Sequence, residues 1–196
     1  MSAHGLYSTY SISGGALRAW LPCGPGSPAC FVLEFKMQSQ SLLYGETTGE
    51  AFSEGGKGKC LLRIHIACGT HVDSIQCEWL ENGKILRSLR RGGEGGNCRH
   101  SFALAPGEKI IRVEGKSSHC VDQLTFTTNK GNQYGPFGGH GGNSFVLDVP
   151  GGIHGFFGHS SQLLDAIGFY YDEVVEEPKV AAVPMARKGK ASALRP

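Results

Sequence analysis

Three stretches of this chain repeat one pattern, and that repeat limits the fold more than any other feature. The first runs from Tyr44 (YGETTGEAF) to VDSIQCEW at Val72. The second runs from Arg91 (RGGEGGN) through SFALAPG to VDQLTFTT at Val121, and the third from Phe137 (FGGHGGNSFVLDVPGG) to LDAIGFYY at Leu164. Each joins a glycine turn, an apolar strand pattern, and then an apolar residue, Asp, any residue and Ile or Leu. Gly45 to Asp73 is 28 positions, Gly92 to Asp122 is 30, and Gly138 to Asp165 is 27. The longest spacing has a visible cause. Units two and three share GGxGGN followed by SF, but Cys98, Arg99 and His100 stand between those pieces in unit two only. Repetition of this kind predicts copies of one supersecondary unit that bury their apolar faces against each other.

The units read as strands. VDSIQCEW alternates apolar with polar residues over most of its length, as a half-buried strand does. LLRIHIACG alternates in part and ends in a turn. LENGKIL carries Asn82-Gly83, the strongest short hairpin signal, and TFTTNKGNQYG offers a second turn at Asn129 to Gly131. The 30 glycines are about twice the ordinary usage of about 7%, and they cluster in short pairs between apolar runs, where turns between strands lie. No window holds a 3.6-residue period over a helical length. The sequence therefore predicts an all-β fold with about four strands per unit, arranged about a pseudo-threefold axis.

The composition removes several functions. A formal net charge of +2 gives no reason to expect a nucleic-acid partner. There is no apolar run of about 18 residues, so no membrane span is expected. The N-terminus lacks a basic start followed by an apolar stretch, which argues against a secretory signal and favours a cytoplasmic location. Seven cysteines are an odd count and include no CxxC pair, which predicts mostly reduced, buried thiols; Cys23 and Cys30, bracketing GPGSPA, could close a small loop. The eight histidines show neither HExxH nor tight His/Cys spacing, so no metal site and no cofactor is expected. There is no GxSxG nucleophile motif and no other sign of an enzyme.

GPFGGHGGNSF at Gly135, followed by IHGFFGHSSQLLDAIGFYY at Ile153, resembles the jacalin-related lectins. The resemblance covers roughly residues 41 to 171 and implies a β-prism I fold, three four-stranded sheets with pseudo-threefold symmetry. It also implies a non-catalytic lectin whose partners are glycans or free hexoses, mannose-like units foremost, with a homo-oligomer as a further partner. In that family each site pairs a glycine loop with a loop of the form Gly, three residues, Asp. The carboxylate accepts hydrogen bonds from two adjacent sugar hydroxyls, the stronger charge-assisted kind. Glycines let the backbone approach the sugar and permit φ > 0.

Carried onto this chain, the aspartate loop of one unit faces the glycine loop of the next, and the last closes on the first. Site one pairs Gly69, Thr70, His71, Val72 and Asp73 with Gly92, Gly93, Glu94, Gly95 and Gly96, and both motifs are intact. Site two pairs Ser118, His119, Cys120, Val121 and Asp122 with Gly138, Gly139, His140, Gly141 and Gly142. Site three pairs Ser161, Gln162, Leu163, Leu164 and Asp165 with Gly45, Glu46, Thr47, Thr48 and Gly49. Serine replaces glycine in the last two aspartate loops, and the third glycine loop has lost most of its glycines. Site one is therefore ranked first and site three weakest, although single-site members of the family use the place of site three. The rival reading is a β-prism that has lost sugar binding and serves as an assembly or protein-interaction module.

Plainer readings stand beside these. An Asp at a strand start is often an Asx-turn former, and a glycine pair is often only a turn. His71, His119 and His140 are read as exposed loop residues, although a histidine at a site rim could make binding pH-sensitive. Phe157 and Phe169 are assigned to the core; Trp79 and Tyr171, at the ends of equivalent strands, are left open. Residues 1–40 form an N-terminal extension in which CFVLEFKM could add a strand. Residues 41–171 form the lectin-like domain, and residues 172–196 read as a flexible tail, acidic and then basic.

Overall fold

The computed structural model describes residues 35–56 and 58–175, and within them the chain is strand and turn. The strands are β1 (Phe35–Gln40), β2 (Tyr44–Gly45), β3 (Glu50–Gly55), β4 (Cys60–Cys68), β5 (Val72–Glu81), β6 (Lys84–Arg87) and β7 (Arg91–Gly92). They continue with β8 (Cys98–Ala103), β9 (Ile110–Ser117), β10 (Val121–Thr128), β11 (Gln133–Gly138), β12 (Asn143–Asp148), β13 (Ile153–Ser160) and β14 (Leu164–Val175). Asn82 and Gly83 close the β5–β6 hairpin with φ of 50° and 76°, the double left-handed turn that the Asn-Gly pair favours.

Three antiparallel sheets result. The first has the order β6-β5-β4-β8, with β7 also on β5. The second has the order β11-β10-β9-β12. The third has the order β1-β14-β13-β3, with β2 also on β14. Their central pairs, β4/β5, β9/β10 and β13/β14, are equivalent, so the strands starting at Val72, Val121 and Leu164 hold matching places. This is the three-sheet β-prism I. In the first and third sheets the outer strand is split into two pieces, where the sequence suggested one. β1 pairs with β14 from Phe35↔Val175 to Gln40↔Tyr170, so the sheet runs past residues 41–171 at both ends. Cys23, Cys30 and the basic tail lie outside the described residues.

The inner faces of the sheets meet in one core. Ile64, Val113, Val121, Leu124, Phe126 and Phe169 are fully buried within it. Trp79 and Phe156 belong to it, with ring centroids 5.9 Å apart. The assignment of Phe157 to the core is corrected. Phe156 stands directly opposite Phe169 in the β13/β14 ladder, and opposed residues share a face. Phe157 therefore turns outward, half-buried, with its ring over Gly168, where a Cβ would meet it at 2.3 Å. Tyr171 packs half-buried on the core edge. The cysteine expectation is also corrected in part. Cys68, Cys77 and Cys120 are buried free thiols, but Cys60 and Cys98 are exposed because they open strands at the sheet ends.

Candidate functional site

Each of the three repeated aspartates is the extra residue of a β-bulge. Ala67 pairs with Ser74 and Cys68 with Val72, which skips Asp73. Val121 pairs with Ser117 and Gln123 with Lys116, which skips Asp122. His159 pairs with Ala166 and Ser160 with Leu164, which skips Asp165. A bulge re-aims one side chain away from the pleat, and here it turns three carboxylates toward the loops at one end of the prism. The residues before them, Val72, Val121 and Leu164, are fully buried in the core. Val72 can therefore offer a ligand only its backbone. The aspartates are 9%, 2% and 5% exposed in chain order. Burying a carboxylate costs several kcal/mol unless it is paired or hydrogen-bonded, so the donors that each one meets decide its cost.

The loops around them are superimposable in their bonding. In the aspartate loops the amides of Gly69, Ser118 and Ser161 donate to the carbonyls of His71, Cys120 and Leu163. In the glycine loops the amides of Gly93, Gly139 and Glu46 donate to the carbonyls of Asp73, Asp122 and Asp165. The first glycine of each, Gly92, Gly138 and Gly45, has φ between 104° and 112°. The fifth, Gly96, Gly142 and Gly49, has φ between 72° and 78°. These are the two places where a side chain is excluded by backbone shape. The third glycine loop keeps both, and what it has lost are glycines that the backbone does not require. The structure thus brings together the loop pairs expected for all three sites.

The carboxylates differ in what they meet. Asp73 accepts no side-chain hydrogen bond among the described residues, because Gly69 has no hydroxyl to offer. In site two Ser118 Oγ donates to Asp122 Oδ2 at 2.8 Å. In site three Ser161 Oγ donates to Asp165 Oδ1 at 3.0 Å, and Oδ2 is sealed from solvent without a partner. Neither serine has a positive φ; among the described residues only Asn82 does outside glycine. Serine is therefore unstrained here, and its effect is to occupy the acid. At the fourth loop position a Cβ on Gly95 would lie 2.3 Å from Asp73 Oδ1, while one on Gly141 would lie 3.1 Å from Asp122 Oδ1. Site three places Thr48 there.

The sites also interlock. A Cβ on Gly93 would lie 2.4 Å from the carbonyl of Gln162, and one on Gly139 would lie 2.4 Å from that of Thr70. At the third such joint Glu46 instead pairs with His119 Nδ1 at 2.7 Å. His119 and His140 are exposed, as expected, but His71 is half-buried and its Nε2 lies 3.5 Å from Asp122 Oδ1. Burial, then the charges of Asp122, Asp165 and Asp73, push the Cys120 thiol up to about 11.

Two supports escaped the sequence reading. Arg99 donates from Nη1 to the Gly96 carbonyl at 2.6 Å and from Nη2 to that of Glu94 at 2.7 Å, gripping the glycine loop of site one. Lys116 Nζ donates to the His140 carbonyl at 3.0 Å in site two. The insertion that lengthens unit two, Cys98-Arg99-His100, was the available signal for the first. Beside site one lies a shallow cleft of about 230 Å³ whose walls include Ser74, Arg87, Arg90, Arg99 and His100.

Chemically, the arrangement offers a carboxylate acceptor and backbone N–H donors at a shallow, solvent-facing end. Residues 41–170 match the Jacalin-like lectin domain. Jacalin-related lectin 3 of Arabidopsis thaliana is 36% identical over 143 residues, which are 68% of this chain and 24% of that protein. Zymogen granule membrane protein 16 of Homo sapiens is 40% identical over 146 residues, 71% of this chain and 84% of that protein. The chain thus spans about a quarter of the plant relative's length and most of the human one's. Among solved structures, a mannose binding jacalin related lectin from Ananas comosus superposes with a TM-score of 0.64 at 30% identity, covering 70% of this chain and 99% of that one. Artocarpin in complex with mannopentose gives 0.64 at 25% identity, covering 70% and 98%.

Proposed function

We propose, from the premise that this chain belongs to the jacalin-like lectin domain family, that it is a lectin that binds hexose units of glycans at the prism apex and leaves them chemically unchanged. No enzymatic family is indicated by its relatives. Mannose-like units are the first choice, in keeping with the mannose-binding jacalin related lectin and the artocarpin–mannopentose complex that it resembles in fold.

The observation that carries this reading is the open carboxylate of site one. Asp73 is held by a bulge, cradled by Gly95 and Gly96, and meets no side-chain donor among the described residues. Two adjacent hydroxyls of a hexose can donate to its two oxygens, and the N–H groups of Thr70 to Val72 can donate to the sugar oxygens. Sites two and three have the same backbone but a serine already on the acid. Affinity per site is expected between roughly millimolar and micromolar, so avidity comes from several sites or several chains. Calorimetric titration of the parent and of Asp73→Ala with mannose, glucose and galactose tests the reading: mannose binds the parent and not the variant. A parent that binds no hexose and no glycan on an array would hand the chain to the second reading.

That second reading, an assembly or protein-interaction module, has one observation behind it. Ile85 and Leu86 on the outer strand β6 are 67% and 42% exposed, and Leu89 just beyond it is 69% exposed. An exposed apolar edge strand is a ready surface for pairing with another chain. Sedimentation of the parent against Ile85→Glu reads it directly.

A further inference from the structure

His71, Cys120 and the residue Leu163 hold the same third place in the three aspartate loops, and the interlocking of the loops brings the first two together. The Gly69–Asp73 loop leans over the loop from Ser118 to Asp122 because Gly139 packs on the Thr70 backbone. As a result one nitrogen of His71, the Cys120 sulfur and one Asp122 oxygen all lie within 4.8 Å of one another. We propose that His71, Cys120 and Asp122 form a binding site for one transition-metal cation of the zinc class.

The donor set suits that ion. A soft thiolate, an imidazole and a hard carboxylate are all donors that the borderline zinc ion accepts in tetrahedral sites. With metal–ligand bonds of about 2.0–2.3 Å, tetrahedral donors stand roughly 3.5 Å apart. His71 Nε2 and Asp122 Oδ1 are already 3.5 Å apart, and the Cys120 sulfur lies within 4.8 Å of both ligand atoms. The outer contacts match as well. Thr70 Oγ1 lies 3.1 Å from His71 Nδ1, which leaves Nε2 for the ion. Ser118 Oγ binds Asp122 Oδ2 and leaves Oδ1. Metal ligands are commonly fixed by such hydrogen bonds on their far atoms. The third loop contributes apolar Leu163 at the equivalent place, so the protein supplies three ligands and leaves the fourth position to water. On binding, the Cys120 S–H bond breaks, its proton passes to solvent and a metal–sulfur bond forms. The histidine and cysteine spacings hide this site because its ligands come from two loops far apart in sequence.

The inference stands independently of sugar binding and is tested without sugar. Purified, reduced chain is titrated with Co²⁺ in a buffer free of chelators. One equivalent of cobalt produces a thiolate-to-metal charge-transfer absorption, and added Zn²⁺ abolishes it. Cys120→Ser removes the band, while His71→Ala, a change on a half-exposed loop, weakens cobalt binding at least tenfold without lowering the thermal midpoint. Absence of the band in the parent overturns the site. So does a band that survives in Cys120→Ser, which would assign cobalt to another of the seven cysteines, or one indifferent to His71→Ala. A parallel mannose titration with and without Zn²⁺ reports on the lectin reading separately.

Discussion

Site one and site three stand on the same bulge, the same loop turn and the same pair of left-handed glycines, and they treat the carboxylate in opposite ways. Site one keeps Gly69 and Gly95 around Asp73, so among the described residues no side chain donates to the acid. Site three puts Ser161 and Thr48 in those places, so one oxygen of Asp165 is taken and the other is sealed. The lesson is that the backbone of a binding loop and its availability are separate properties. Two glycines with positive φ set the first, and two glycines whose φ is ordinary set the second.

The comparison breaks most visibly at the acids themselves. Asp73→Ala should reduce mannose affinity at least tenfold, since a hydrogen bond to a charged group contributes about 1.5–3 kcal/mol, while Asp165→Ala should change it less than twofold. Calorimetric titration of the two variants decides the ranking, and the reverse result makes site three the working one. Next comes the fourth loop position. Gly95→Thr imports the crowding of site three, with a Cβ where Asp73 Oδ1 sits 2.3 Å away, and mannose affinity should fall roughly tenfold, the scale of losing one good hydrogen bond. An unchanged affinity would show that the loop gives way.

A finer test exchanges the serine. Gly69→Ser should lower affinity about threefold to fivefold, the scale of a neutral hydrogen bond of about 0.5–1.5 kcal/mol competing for the acid. Its thermal midpoint should hold, because the position has no positive φ. Ser161→Gly should do the opposite and create measurable binding at site three in an Asp73→Ala background. The smallest difference is expected where the two sites are alike. Gly45→Ala and Gly92→Ala each force a Cβ to 2.1 Å from an aspartate carbonyl at φ above 100°. Urea unfolding should show both destabilised by at least about 1 kcal/mol, and by the same amount. A large inequality would mean that the loops do not share one backbone after all.

The repeat made the three matching strand units and their glycine turns legible, because apolar alternation and glycine turns are local signals, whereas the partnership of aspartate and glycine loops was legible only through the resemblance to the jacalin-related lectins. The bulge was not legible. VDSI, VDQL and LDAI look like strand starts, and nothing in their composition marks Asp as the residue left out of the ladder; that depends on the register with β4, β9 and β13. The parity of Phe156 and Phe157 was lost for the same reason, since a register shift between Ile153 and Gly155 decides which ring faces inward. Ser161 looked like damage because its φ cannot be read from sequence. The grip of Arg99 on the glycine loop was hidden inside an insertion that had been noticed only as a length difference.

The order of the sheets has a consequence in time. The first and second sheets are each drawn from one continuous run of chain, so a ribosome that has delivered residues through Asp148 has supplied every strand of both. The third is different: β1, β2 and β3 come early and β13 and β14 come last, with Phe35 finally paired to Val175. Its first strands must therefore wait, unpaired, through the synthesis of two thirds of the prism. Such long-range pairing is slow, and an exposed strand edge is the sticky part of a nascent chain. β14, the last strand of the prism to be made, pairs with β1, β2 and β13 and carries Asp165, so the third edge and the third loop pair cannot be completed before it arrives.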